Sequence, residues 1–245
     1  MFKNSNQAIK DKEQFIMIAE GWTQLYQELR LDVKAHRVFM RNLIDHQHVY
    51  IMLNDPAHQW SHLVNVLNSS HKCYTYHHEV GGVVASASEY FMATLFHDTF
   101  SGTKRENHHF EGAGFVGWIY QFLPSCWKKE INITTVYNMC RWHRSSVPAP
   151  KEMPLAVHLF AVADKGPMVF KDVIERSIAY QQHHHPNDDA VYLAFTHVKK
   201  KFGRDGYAFK DIHPAYLDIF GDDLEVFWLL LEDPTAEEQF RKLTA

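Results

Sequence analysis

FMATLFHDTFSGTKRENHHFEGA, running from Phe91 to Ala113, decides the reading of this chain. An apolar helical run ends in the adjacent pair His97-Asp98. A short polar loop with one glycine, Gly102, follows, and a second helix opens on His108-His109. An imidazole and a carboxylate side by side at a helix end can serve one divalent cation. Imidazole nitrogen suits zinc, iron and manganese, and the carboxylate adds a charged ligand that can bridge to a second ion. A chain with 18 histidines will hold such a pair by chance, so the weight rests on its surroundings.

Outward from the pair, VVASASEYFMATLFHD reads as one helix after the Gly81-Gly82 break, with Val84, Ala87, Phe91 and Leu95 inward. A buried helix of this kind holds a ligand pair rigidly. Upstream, Asn54-Asp55-Pro56 is a stop and restart, with Asp55 as cap and Pro56 in the first helical position. The helix from Pro56 to about Asn68 carries His58 and His62, four apart and so on one face. They read either as a ligand and its neighbour or as an ordinary histidine pair. In the loop after the pair, Lys104 and Arg105 offer cations for a phosphate or for a solvated surface. Downstream, the helix from Asn107 to Leu123 is followed by one from Glu130 to Trp142, which leads into His143 and Arg144. The apolar run Met153–Ala163 ends in Asp164-Lys165-Gly166-Pro167. A carboxylate closing so apolar a run is expensive to bury unpaired; a metal, Lys165 or a capping role would each answer that cost.

Taken together, His62 in HLVNV, the run LFHD and Asp164 in AVADK resemble the HD-domain superfamily of metal-dependent phosphohydrolases. Its signature is a His, a His-Asp pair and a distant Asp on separate helices of an all-α domain. The resemblance covers roughly Asp55 to Glu175. HHFEGA is similar to the His-x-x-x-Gly-Ala segment of members with two metals, which favours His108 over His109, although a related subgroup with Asn-Glu there would align His109 with the Glu. His143 and Asp164 fit the spacing of the last two ligands.

The resemblance therefore implies an HD-domain helical bundle with added N- and C-terminal helices (6–53 and 176–245) and a ligand set of His62, His97, Asp98, His108, His143 and Asp164. It implies one or two divalent ions (iron, manganese or zinc), with Asp98 as the bridge and a metal-activated water as nucleophile. The expected substrate is a nucleotide or another small phosphorylated compound, its oxygens supported by Lys104, Arg105 or Arg144. Two further readings share the pattern: a mixed-valent di-iron oxygenase, and a metal-binding sensor or scaffold without catalysis. Two departures bear on substrate contacts: Asn65 stands where many relatives carry arginine, and the loop after Asp98 lacks the common Ile-Gly-Lys.

Composition is compatible with this reading. At 245 residues the chain is long enough for one sizeable core. A formal charge of −4 argues against a dedicated nucleic-acid binder. Cys73, Cys126 and Cys140 are odd in number and lack CxxC spacing, which points to a reducing compartment. Met1–Lys12 has no apolar signal segment and no apolar run reaches a membrane span, so a cytoplasmic protein is expected. Two N-terminal helices are expected, Gln7–Leu29 and one capped by Asp32. Beyond Asp164 the chain shows an amphipathic run Val169–Gln182, a helix capped by Asn187 or Asp188 and running through Lys201, and helices near His213–Phe220 and Asp222–Leu231. The run KKKFGR could bind phosphates or complement the negative end of its helix. A lid, a homodimer surface and a partner site all remain open for the C-terminal region.

Overall fold

The computed structural model describes residues 3–22, 33–82 and 85–244. The chain is all-α: the described residues form twelve α-helices and one 3-10 turn, with no strand. The first two helices are α1 (Lys3–Gly21) and α2 (Val33–Met52). Leu25, Leu29 and the expected Asp32 cap lie outside the described residues. Phe15, Ile16 and Ala19 of α1 are buried as its periodicity requires, whereas Ile9 stays exposed.

Asp55 caps the 3-10 turn Pro56–His58, accepting from the Ala57 N–H at 2.9 Å. The single helix expected from Pro56 is thereby split. It breaks at the extended residue Gln59, and α3 runs from Trp60 to Val80, well past the expected end at Asn68. The helix carrying the His-Asp pair, α4 (Ala87–Phe96), also starts later than expected, because Ser86 and Glu89 form a capping box. Ser86 Oγ accepts from the Glu89 N–H (3.1 Å) and Glu89 accepts from the Ser86 N–H (2.7 Å). Val84 lies outside the described residues. All ten residues of α4 are buried, which is the behaviour of a helix that is apolar on every side.

Around α4 lie α3, α5 (His108–Tyr120), α7 (Ile133–Arg141) and α8 (Leu155–Lys165). The helix expected from Glu130 to Trp142 is α7, which starts later because Asn132 caps it, and the short α6 (Ser125–Glu130), which the sequence reading did not expect, precedes it. Gly166 stops α8 with a positive φ of 62°, its N–H bonded to the Val162 carbonyl. The remaining helices are α9 (Phe170–His184), α10 (Ala190–Phe202), α11 (Ala215–Glu232) and α12 (Ala236–Thr244). Asp189, rather than Asn187 or Asp188, caps α10. The helices expected near His213–Phe220 and Asp222–Leu231 meet in α11 across a kink at Phe220, whose backbone is non-helical. A single apolar cluster runs from Ala8 to Phe240 through both ends of the chain. Among the described residues no helix is long and apolar enough to cross a membrane, and the three cysteines are free.

Candidate metal centre

Five helix ends meet on one point. The first turn of α3 supplies His62; the end of α4 supplies His97, its C-cap, and Asp98. His108 opens α5, His143 follows α7 by two residues, and Asp164 sits in the last turn of α8. All four imidazoles and Asp98 are at most 5% exposed. The loop after Asp98 is clamped by Asn54, which donates to the Asp98 carbonyl (2.9 Å) and accepts from the Gly102 N–H (2.9 Å). The approach is so close that a Cβ on Gly102 would lie 2.1 Å from the Leu53 carbonyl oxygen.

The donor atoms fall into two sets. In the first, His62 Nε2 lies 3.2 Å from Asp164 Oδ1 and 3.4 Å from Asp98 Oδ2. His97 Nε2 lies 3.4 Å from each of the same oxygens and 3.3 Å from His62 Nε2. In the second, His108 and His143 Nε2 are 3.2 Å apart and lie 3.1 and 3.5 Å from Asp98 Oδ1. Tetrahedral donors about 2.0–2.1 Å from one ion are separated by about 3.3–3.4 Å, so these edges are those of ligand polyhedra. The two sets touch: donor atoms of His97, Asp98 and His143 also lie within 4.8 Å of one another.

The protons agree. His97 Nδ1–H donates to the Thr94 carbonyl (2.9 Å), His108 Nδ1–H to that of Arg105 (2.7 Å) and His143 Nδ1–H to that of Cys140 (2.7 Å). A carbonyl only accepts, so each Nδ1 carries a hydrogen, and each ring, when neutral, turns a lone pair on Nε2 inward. With both of its rings neutral, the second set is three acceptors facing one another with no hydrogen between them. Burial pushes the His143 imidazole down, against the pull of Asp98, so protonation is disfavoured there. A cation is the natural occupant.

In the first set, burial alone would lower His97, but the Asp98 and Asp164 carboxylates outweigh it and hold the ring up at about 10. Burial opposes ionisation of both carboxylates. The imidazoles override that cost, His97 foremost for Asp98 and His62 for Asp164, and hold them well below the usual range. Without a metal this set holds a proton. An ion would replace it.

His62 is the exception among the four rings. Its Nδ1 faces not a carbonyl but the Arg176 guanidinium, 3.1 Å away, a group that only donates. With that bond in place, Nε2 bears the hydrogen and points it at Asp164. To ligate an ion through Nε2, His62 must move its proton to Nδ1, and Arg176 then loses its acceptor.

The set opens into a cavity of about 300 Å³. Five cations line it, Arg105, Arg144, Lys165, Arg176 and Lys201, against the two carboxylates Asp98 and Asp164. It thus reverses the sign of a chain whose formal charge is −4. Arg105 is held at the mouth by His58 Nε2 (3.0 Å), and His58 in turn donates through Nδ1 to Asp55 (2.8 Å). Burial pushes His58 down to about 4, so it stays neutral in this role. Arg144 reaches the Glu106 carbonyl across the entrance.

The six expected ligands are therefore brought together, and Arg105 and Arg144 line the cavity. His108, not His109, faces the centre; His109 lies by Arg144 at 3.4 Å. Lys104 departs from its expected role. It is exposed and ion-paired with Glu111 at 2.8 Å, and it is not part of the cavity wall. Sequence reasoning missed Asn54, Arg176, Tyr180 and His197, and left Lys201 open between phosphate binding by the run KKKFGR and complementing its helix end. The available signal was a charge on a buried stripe, since Arg176 falls between Val173 and Tyr180 on the inward side of α9. Comparison with protein-family models, with curated proteins and with solved structures finds no match to this chain.

Proposed function

We propose that this chain is a metal-dependent phosphohydrolase or phosphodiesterase of the HD type, acting on a nucleotide or another small phosphorylated compound. The observation that carries this reading is the divided carboxylate of Asp98: Oδ2 faces His62 and His97, and Oδ1 faces His108 and His143. His62, His97, Asp98 and Asp164 would hold one ion, and Asp98, His108 and His143 the other. Ions bound there supply Lewis acidity toward a phosphoryl oxygen and acidify water at neutral pH.

The chain's own residues account for the rest. Arg105, Arg144 and Arg176 present N–H forks to an anion. The buried Asp55-His58 pair holds Arg105 at the mouth. The Nδ1–H bonds of His97, His108 and His143 to backbone carbonyls fix the rings. The histidines must be neutral to serve as ligands, so loading releases protons and weakens in mild acid.

The donor set is four imidazoles and two carboxylates with no thiolate, which suits iron as well as manganese or zinc. That observation keeps a mixed-valent di-iron oxygenase as the second reading. The deciding experiment loads the protein separately with Fe(II), Mn(II) and Zn(II). It then measures cleavage of p-nitrophenyl phosphate and bis-p-nitrophenyl phosphate beside oxygen uptake. Phosphoester cleavage that falls by about 100-fold or more in Asp98→Asn is expected. Oxygen uptake without phosphoester cleavage would favour the second reading, and neither activity would leave a scaffold.

A further inference from the structure

The wall of the cavity opposite the His-Asp pair is built by the C-terminal helices, and it carries charge that the metal centre does not use. Lys165 ends α8, Arg176 lies in α9 and Lys201 lies in the last turn of α10, and all three line the same cavity. Among the described residues none of the three belongs to a salt bridge within 4.0 Å, and Lys201 makes only a 5 Å-class contact, its Nζ 4.7 Å from the Phe202 ring centroid. Asp164 is the one carboxylate acting on Lys165 and on Lys201, whereas Arg176, Arg105 and Lys165 all oppose the charge on Lys201.

Like charges gathered on one half-buried wall without a paired carboxylate are costly, and a fold keeps them where something else compensates. Complementing the end of α10 does not explain Lys201, because the exposed Lys199 and Lys200 already do so. Asp98 and Asp164 lie against the imidazoles of His62, His97, His108 and His143, and neither forms an ion pair with any of the three cations. Three cations therefore face the cavity with or without a metal, and an anion from outside the chain would satisfy them.

We propose that Lys165, Arg176 and Lys201 form a second anion subsite beside the metal centre, so that the substrate class is a compound with two or more linked phosphates rather than a monophosphate. This rests on the hydrolase reading and deepens it. The reacting phosphoryl group belongs at Asp98 and Asp164, and its neighbour along the phosphate chain belongs against α8, α9 and α10. A cavity of about 300 Å³ is at the small end of ligand sites, which suits a compact oligophosphate with the remainder of the molecule directed outward past Tyr180 and Tyr207.

Equilibrium binding tests this without catalysis. The full chain in EDTA at low ionic strength is titrated calorimetrically with orthophosphate and with pyrophosphate. Pyrophosphate is expected to bind at least about tenfold more tightly, an advantage that shrinks with salt. Lys201→Met, which keeps the stem and removes the charge, should abolish that advantage while changing orthophosphate affinity less than about threefold, and Lys201→Arg should restore it. Arg176→Met is run in parallel so that the result does not hang on one variant, with circular dichroism to establish that each is folded. Equal wild-type affinity for the two anions, or an unchanged pyrophosphate preference in both Met variants, would overturn the subsite. Metal content measured on the same preparations keeps the two claims apart: a pyrophosphate preference in a chain that takes up no metal removes the hydrolase reading and leaves the subsite standing.

Discussion

Asn54 ties the loop that follows the His-Asp pair to the 3-10 turn: it donates to the Asp98 carbonyl and accepts from the Gly102 N–H in the loop, and it donates to the His58 carbonyl in the turn. Gly102 lies so close to the Leu53 carbonyl that no side chain fits. Gly102→Ala should therefore cost about 1–3 kcal/mol of stability by overpacking against backbone, read in urea unfolding, and should loosen Asp98 enough to weaken metal uptake. An unchanged unfolding midpoint would show that the loop has room to move. The two cations of this loop separate cleanly. Lys104→Ala removes an exposed pair with Glu111, a contact worth less than about 1 kcal/mol, and should leave phosphoester cleavage within about twofold of wild type. Arg105→Ala removes a fork at the cavity mouth that His58 and Asp55 hold in place, and should raise KM about tenfold or more. Equal effects of the two substitutions would contradict that placement.

The rigidity of the pair originates at the far end of α4. Glu89 accepts from the Ser86 N–H (2.7 Å) and, through its other oxygen, from the Asn132 N–H at the start of α7 (2.6 Å). One carboxylate thus ties the helix that carries His97 and Asp98 to the helix that leads to His143. Ser86→Ala should cost about 1 kcal/mol, the usual worth of a cap. Glu89→Ala should cost more, about 2–4 kcal/mol, because it leaves two backbone donors without their acceptor. Thermal melts compare the two, and equal losses would argue against the tie.

The same elements show what was legible beforehand. Stops written in local chemistry, Asp55-Pro56 and Gly166-Pro167, were readable, and so was the uniformly apolar α4. The break at Gln59 was not, because it carries no proline or glycine, and the start of α7 was misplaced by about three residues although Asn132 caps it locally. The SASE start of α4 was readable but was overridden by the apolar residues before it. In the site, adjacency made His97-Asp98 visible, while the distant ligands came from the resemblance alone. The cations of α9 and α10 were only partly legible: Arg176 shares a stripe with Val173 and Tyr180, but a helical stripe does not say which cavity it will face, and the run KKKFGR suited a helix end as well as a phosphate.

At the scale of the whole molecule, the metal-free protein holds a proton on His97 between two carboxylates, where an ion would bind, and stability should report it. His97 is raised in the fold from 6.5 to about 10, so its contribution is fully present below pH 6.5 and is lost as pH rises toward 10. Asp98 and Asp164 are lowered, so theirs is present above about pH 4 and is lost as acid protonates them. In EDTA the melting temperature should fall between pH 7 and pH 10. With metal bound, the fall should be absent, because the ion replaces the proton; parallel curves would mean that the proton is not where the ion goes. The most direct test of the central claim, one carboxylate shared by two ligand sets, is the metal content of tag-free protein after equilibration with iron, manganese or zinc. We predict about two equivalents in the wild type, about one in His143→Ala, and less than one in Asp98→Asn, since the first loses one set and the second loses the bridge. No bound metal in the wild type, or the same content in all three proteins, would contradict it.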